Sequence, residues 1–255
     1  MNISLVQVFG ALLTIGVRLT GIMLFAPFFG SVAISPRVKA VLVISLTALL
    51  YPMISSKIPL MSISQWPMMA FTELLIGVGL GVATNVVFDG VQMAGQVLSV
   101  QMGYSLVSIL DPQTQIESTV VATFHQTIAM LIFLRLDVHI WILRALARSF
   151  DYLPPASGHI GASFTTAAVG AGASVFAIGI QIAAPVLSAT LLADVALGLL
   201  GKASPQLPLM LLGPAVKSIL GLLVLISALK YWPNIFEHLF LNSMVTADHL
   251  LHLAR

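Results

Sequence analysis

The sequence predicts an all-α, polytopic helical membrane protein with Pro- and Gly-broken helices and an internal irregular loop. Three observations predict it. Hydrophobic types make up 58% of the 255 residues, while Asp, Glu, Lys and Arg together reach 8%. A soluble domain carries about 25% charged residues, so this chain cannot coat a water-facing surface. The mean hydropathy of +1.04 points the same way. Apolar runs near 20 residues, the length that crosses a bilayer, recur along the chain, and the alternating ten-residue strands of an outer-membrane barrel do not.

The elements follow in order. The first apolar run extends from about Ile3 to Phe29, with Arg18 in its middle and Pro27 near its end. No Lys or Arg precedes it and no small-residue cleavage site is clear, so it is expected to be a retained helix and not a signal peptide. Gly30 to Lys39, with Pro36 and Arg37, is expected to be a polar turn. A second run, Ala40 to Ile54, ends at Tyr51-Pro52 and Lys57. A third, Met68 to Phe88, continues at helical spacing to Gly103. Gly103 to Glu117 reads as a loop centred on Asp111-Pro112, because proline removes an N–H donor and pushes the preceding residue out of the helical region. Another helix is expected from Ser118 to Leu134, then a short amphipathic one around Ile140, Trp141, Leu143 and Leu146. The uncharged stretch Ile160 to Ala193 is expected to be kinked or divided at Pro185, and Gly201 to Pro205 to turn. A last strong helix, Leu209 to Leu229, precedes an amphipathic tail from Asn234 to Arg255. No repeat of 20 to 50 residues is present, which excludes solenoids.

Composition excludes several functions. The net charge is +2 with charges scattered singly, so no basic stripe suggests nucleic acid. Cysteine is absent, which removes disulfides, thiolate nucleophiles and Cys-ligated metals. His125, His139 and His159 are too far apart for a local metal motif, no His-Glu-x-x-His occurs, and no metal or cofactor is expected. Ser99, Ser105, Ser108 and Ser118 lie outside any Gly-x-Ser-x-Gly elbow. No catalytic residue is nominated.

Four groups of residues remain as candidates. Gly77 and Gly81, then Gly95, Ser99 and Gly103, recur every four residues, a spacing that lets helix backbones approach closely. They serve either partner subunits or packing within the chain. Gln92, Gln96 and Gln101 form a polar series that either lines an aqueous path or bonds to a neighbouring helix. Arg18, Glu73, Asp89, Asp194 and Lys217 fall within or beside apolar helices, where each ionisable group costs about 2.5–3.5 kcal/mol on insertion scales. They are either an ion relay or structural pairs. In the loop, Leu106, Val107, Ile109 and Leu110 either close a pore by excluding water or form a peripheral turn.

The order of several motifs resembles the FliR family of type III export-apparatus proteins. They are Arg18 to Gly30 (RLTGIMLFAPFFG), Ala94-Gly95-Gln96, Gln101-Met102-Gly103 and Asp111-Pro112, followed by Arg144 to Phe150 (RALARSF) and Leu153-Pro154-Pro155. Gly198 to Leu207 (GLLGKASPQL) and Leu212 to Lys217 (LGPAVK) complete the series, which covers nearly the whole chain. Pro208 and Met210 stand where the family tends to show Asn and Phe.

The resemblance implies a single export-gate membrane domain, with a FliP-like portion over about residues 1–130 and a FliQ-like portion with the amphipathic tail over about 131–255. It implies assembly with FliP-like and FliQ-like subunits and with a FlhB-like subunit, around a channel for unfolded secreted proteins. It places the chain in the bacterial inner membrane at the flagellar basal body. It maps a plug loop onto Leu106, Val107, Ser108, Ile109, Leu110, Asp111, Pro112, Gln113, Thr114, Gln115, Ile116 and Glu117. Two other readings stay open: the homologous component of a virulence injectisome, and a secondary transporter of small solutes, whose expected internal symmetry is not evident.

Overall fold

A computed structural model describes residues 5–31, 34–55, 63–104, 120–154, 161–204, 206 and 209–254. Among these residues the regular structure is helical, with no strand. Eight α-helices follow in order: α1 (Leu5–Phe25), α2 (Pro36–Ile54), α3 (Trp66–Gln101), α4 (Val120–Arg135), α5 (Val138–Tyr152), α6 (Ala162–Ala203), α7 (Leu209–Ala228) and α8 (Trp232–Leu253). A 3₁₀ turn, Ile63–Gln65, leads into α3. The expected plug loop, Leu106 to Glu117, lies outside the described residues.

Proline and glycine set several boundaries, in ways that correct the sequence reading. α1 stops four residues short of Phe29, because Pro27 follows and Phe28 takes a left-handed φ of +68°. The polar turn expected up to Lys39 is shorter: Pro36 opens α2 after an extended Ser35, as suits a residue with no N–H at the first helical position. Pro185 divides nothing, since α6 runs unbroken for 42 residues through it and on through Gly201 and Lys202 to Ala203. Asp137 separates α4 from α5 with a φ of +55°, a conformation that Asp tolerates better than most residues. α7 and α8 meet across residues 229–231 at a bend of 71°.

Four helices, α1, α2, α3 and α6, are long and apolar enough to cross a membrane, and the bent pair α7–α8 makes a fifth candidate. Their enclosure differs sharply: 61% of α3 is buried within the chain, against 11% of α2. α2 therefore keeps most of its apolar surface for surroundings that are not this chain.

Contacts divide the described chain into two compact units that interleave along the sequence. The first comprises residues 1–86, 137–173 and 240–255; the second comprises 87–136 and 174–239. The core of the first is built from Ile15, Leu19, Ile76, Leu146, Phe150 and Phe240, all fully buried. In the second, Leu98, Met102, Ala129, Phe133 and Phe236 are fully buried, and Phe88 meets Phe133 edge-on at 5.4 Å. Lipid is as apolar as leucine, so burial of such side chains does not by itself drive helices together in a membrane. Close packing and hydrogen bonds must do so.

Candidate functional site: two charged nodes and the glycine seams that form them

In the first unit α1 and α3 meet backbone to backbone. A Cβ on Gly77 would collide with the Arg18 carbonyl oxygen, one on Gly21 would sit 2.7 Å from the Leu74 oxygen, and one on Gly81 2.9 Å from the Phe25 Cβ. Glu73 lies one turn before Gly77, and Arg18 one turn before Gly21, so the charged pair shares the face of this seam. Close approach brings the two side chains within reach. Arg18 Nε donates to Glu73 Oε2 at 2.5 Å, with both side chains sealed from the surface.

The same guanidinium ties in α5. Arg18 Nη1 donates to Ser149 Oγ at 3.1 Å, and Nη2 to the Leu153 carbonyl, also at 3.1 Å. Ser149 in turn donates its own proton to the Leu146 carbonyl at 2.7 Å. Leu153 caps the C-terminal end of α5, where carbonyls lack helical partners and a cation is favoured. The guanidinium carbon stands 4.2 Å from the centre of the Phe150 ring, within the range of a cation–π contact. Arg18 thus joins three helices, and each group it meets satisfies a donor or its charge.

The second unit carries a node of another kind. Lys217 Nζ lies 3.0 Å from Asp194 Oδ1, and Gln101 Nε2 donates to Asp194 Oδ2 at 2.9 Å. α3, α6 and α7 are linked by this cluster. The Asp194 side chain is 42% exposed, amid the exposed apolar residues Leu191, Leu192 and Val195. Gln126 Nε2 donates to Gln92 Oε1 at 3.1 Å, joining α4 to α3. Of the three nominated glutamines, two bond to neighbouring helices, and Gln96 is exposed. Asp89 is engaged elsewhere.

Small residues again set the distances in this unit. A Cβ on Gly95 would overlap the Ala122 backbone on α4; one on Gly90 would meet Ile178 of α6 at 2.5 Å; one on Gly221 of α7 would meet Met102 at 2.7 Å. Ser99 is fully buried. Gly103 does something different: it ends α3. Its φ is +86°, and the Tyr104 N–H reaches back to the Ser99 carbonyl at 2.9 Å, closing the helix in the manner that favours glycine. Ser218 Oγ then donates to Tyr104 Oη at 2.7 Å, fixing that end to α7.

Among the described residues no cluster of three or more His, Asp or Glu is arranged to hold a metal. His125 is fully buried on α4, a helix too short to count as a candidate span, with Nδ1 on the Val121 carbonyl at 2.7 Å and its ring 5.0 Å from that of Trp232. Loss of solvation lowers its pKa below the usual histidine value, against the opposing effect of the Val121 hydrogen bond.

The sequence reading did not identify Ser149, Phe150 or the Leu153 carbonyl as Arg18 partners, nor Gly21, Gly90 and Gly221 as seam residues. Arg18-x-x-Gly21 beside Glu73-x-x-x-Gly77 carried a signal for the first seam. Nothing local marks a carbonyl 135 residues away from Arg18.

The profile of a family described as bacterial export proteins, family 1, matches residues 9–243. A flagellar biosynthetic protein FliR of Pectobacterium carotovorum is 32% identical over 226 residues, 88% of this chain and 86% of that protein. The FliR of Bacillus subtilis is 28% identical over 257 residues, 98% of each chain, and that of Escherichia coli is 28% identical over 225 residues, 88% of this chain and 85% of that protein.

Proposed function

The chain belongs to the family of bacterial export proteins, family 1, and on that premise we propose that it is a structural pore and gate component of the flagellar type III export apparatus. The observation that carries the reading is similarity to flagellar FliR proteins along almost the entire chain. The distribution of polarity supports it. The sealed Arg18–Glu73 pair holds helices together from within, while large apolar faces on α2, α6 and α7 stay uncovered by the chain itself. Such faces suit a subunit embedded in lipid and in other apolar subunits.

In this reading the chain assembles with FliP-like and FliQ-like subunits, and with a FlhB-like subunit, in the inner membrane at the basal body. Unfolded secreted proteins cross through the channel that the assembly encloses. Residues 1–130 form a FliP-like portion and 131–255 a FliQ-like portion; each portion contributes helices to both units. Leu106 to Glu117 plug the channel at rest. The chain's role is structural, not catalytic. The flagellar relatives favour this assignment over a virulence injectisome.

Deleting the gene and complementing it tests the reading. Loss of flagellar filaments and of export of their subunits, restored by the intact chain, is expected. Copurification with small helical partners in mild detergent is expected as well. Normal filament assembly in the deletion strain would refute the assignment. Shortening 106–117 in the assembled complex tests the plug: ion leakage across the membrane is expected, and unchanged permeability would remove that role.

A further inference from the structure

The packing of α1 against α2 differs from every glycine seam described above. It leaves an open apolar groove of about 520 Å3, lined by Leu13, Gly16 and Val17 of α1 and by Ile44, Thr47 and Ala48 of α2, among others. That volume falls in the roughly 300–1,000 Å3 range of small-ligand sites. The hydroxyl of Thr20 is already bonded to the Gly16 carbonyl, which leaves the buried Thr47 hydroxyl as the one lining side-chain polar group without a partner among the described residues.

Its rim is made of large side chains. Phe9 is 65% exposed and Ile44 68%. At the close helix approaches described above, glycine lies at the contact. A channel between large, separated side chains suits a flexible, slender chain better than a second helix. α2 is also the least enclosed of the four single-helix candidate spans, which leaves the groove open to an apolar occupant from outside the chain.

One end of the groove is marked by charge. Arg37 is exposed, six residues before the lining residue Val43, which is about 9 Å along the helix axis. Lys39, two residues on, donates to the Gly30 carbonyl at 3.0 Å. No acidic residue occurs before Glu73, and Glu73 is committed to Arg18. Among the described residues Arg37 makes no ion pair. An uncompensated guanidinium at the mouth of an apolar channel is complementary to an anionic headgroup attached to an acyl chain.

We propose that the α1–α2 groove is a binding site for an anionic phospholipid, with an acyl chain along Leu13, Val17 and Ala48 and the headgroup phosphate on Arg37. The site is independent of the export reading, because it requires only a bilayer. Attraction of about 1 kcal/mol per basic residue near a membrane surface corresponds to roughly a fivefold preference for anionic over zwitterionic lipid.

Photolabelling tests it. The full chain is placed in phosphatidylcholine vesicles containing either diazirine-bearing phosphatidylglycerol or the matching phosphatidylcholine, irradiated, and digested for mass spectrometry. Labels concentrated on Leu13, Val17 and Ala48 are expected, about fivefold heavier with phosphatidylglycerol. Arg37→Gln is expected to erase that preference and Arg37→Lys to keep it. Ala48→Phe, which fills the channel from an exposed position, is expected to remove labels from Leu13 and Val17 while leaving those on Leu192 unchanged. Equal labelling by the two lipids, labels spread evenly over all exposed apolar faces, or an effect of neither Arg37 variant would overturn the proposal. So would loss of groove labelling when partner subunits are coexpressed, since that outcome assigns the groove to a protein contact.

Discussion

The two units solve the same problem, an ionised pair among apolar helices, in opposite ways. Arg18 and Glu73 are sealed at 0% and 1% side-chain exposure, and Ser149, the Leu153 carbonyl and the Phe150 ring complete the arginine's surroundings. Lys217 and Asp194 remain 19% and 42% exposed. The difference teaches what each pair is for. A sealed pair has its attraction undiluted and its desolvation already incurred, so losing either partner leaves a bare charge in an apolar core. An open pair can exchange partners, and it contributes little to the stability of the chain that holds it.

The sharpest break of this comparison is Glu73→Ala. Unfolding in detergent, followed by circular dichroism against denaturant, should show a loss of about 3–5 kcal/mol. The double variant Arg18→Met with Glu73→Leu should recover much of it, since a well-packed apolar pair carries no desolvation penalty. A loss below about 1 kcal/mol for Glu73→Ala would make the two nodes equivalent and end the comparison.

Next in size is Gly77→Val, which sets a side chain against the Arg18 backbone. A loss of about 1–3 kcal/mol is expected in the same assay. A double-mutant cycle with Glu73→Ala should be strongly non-additive, because the seam and the pair share one contact. Additivity would separate them.

Asp194→Asn comes third. It should change the stability of the isolated chain by no more than about 1 kcal/mol. If the open node serves assembly, the same substitution should lower recovery of the complex with the proposed partner subunits by more than that change accounts for. Equal, small effects on both would leave the node a surface pair. The smallest effect belongs to Thr47→Val. The Thr47 hydroxyl is buried without a hydrogen-bond partner among the described residues, so an isosteric methyl should be neutral to slightly stabilising, within about 1 kcal/mol.

Much of the helix inventory was legible in the sequence, because apolar run length and proline position act locally. The amphipathic stretch around Trp141 became α5, and the tail after Pro233 became part of α8. Prolines misled where they were taken as breaks. Pro36 begins a helix, and Pro185 is absorbed within α6 beside the buried residues Ile182, Ala183 and Val186. The ionisable residues were visible one by one. Their partners were not, since pairing of Arg18 with Glu73 depends on where two helices cross, and spacing along one helix does not specify that. Gly103 was legible as small but not as a cap; its left-handed φ follows from the end of α3, which proline at 112 only bounds from afar.

The Arg18 node also imposes a timetable. Its partners lie 55, 131 and 135 residues further along the chain. At a synthesis rate of about 5–20 residues per second, α1 waits roughly 3–11 s for Glu73 and roughly 7–27 s for Leu153. Throughout that interval it is a newborn segment with a solitary cation at its middle, which the insertion machinery accepts reluctantly. α1 is therefore made well before the groups that secure it, and its commitment to the bilayer depends on helices not yet synthesised.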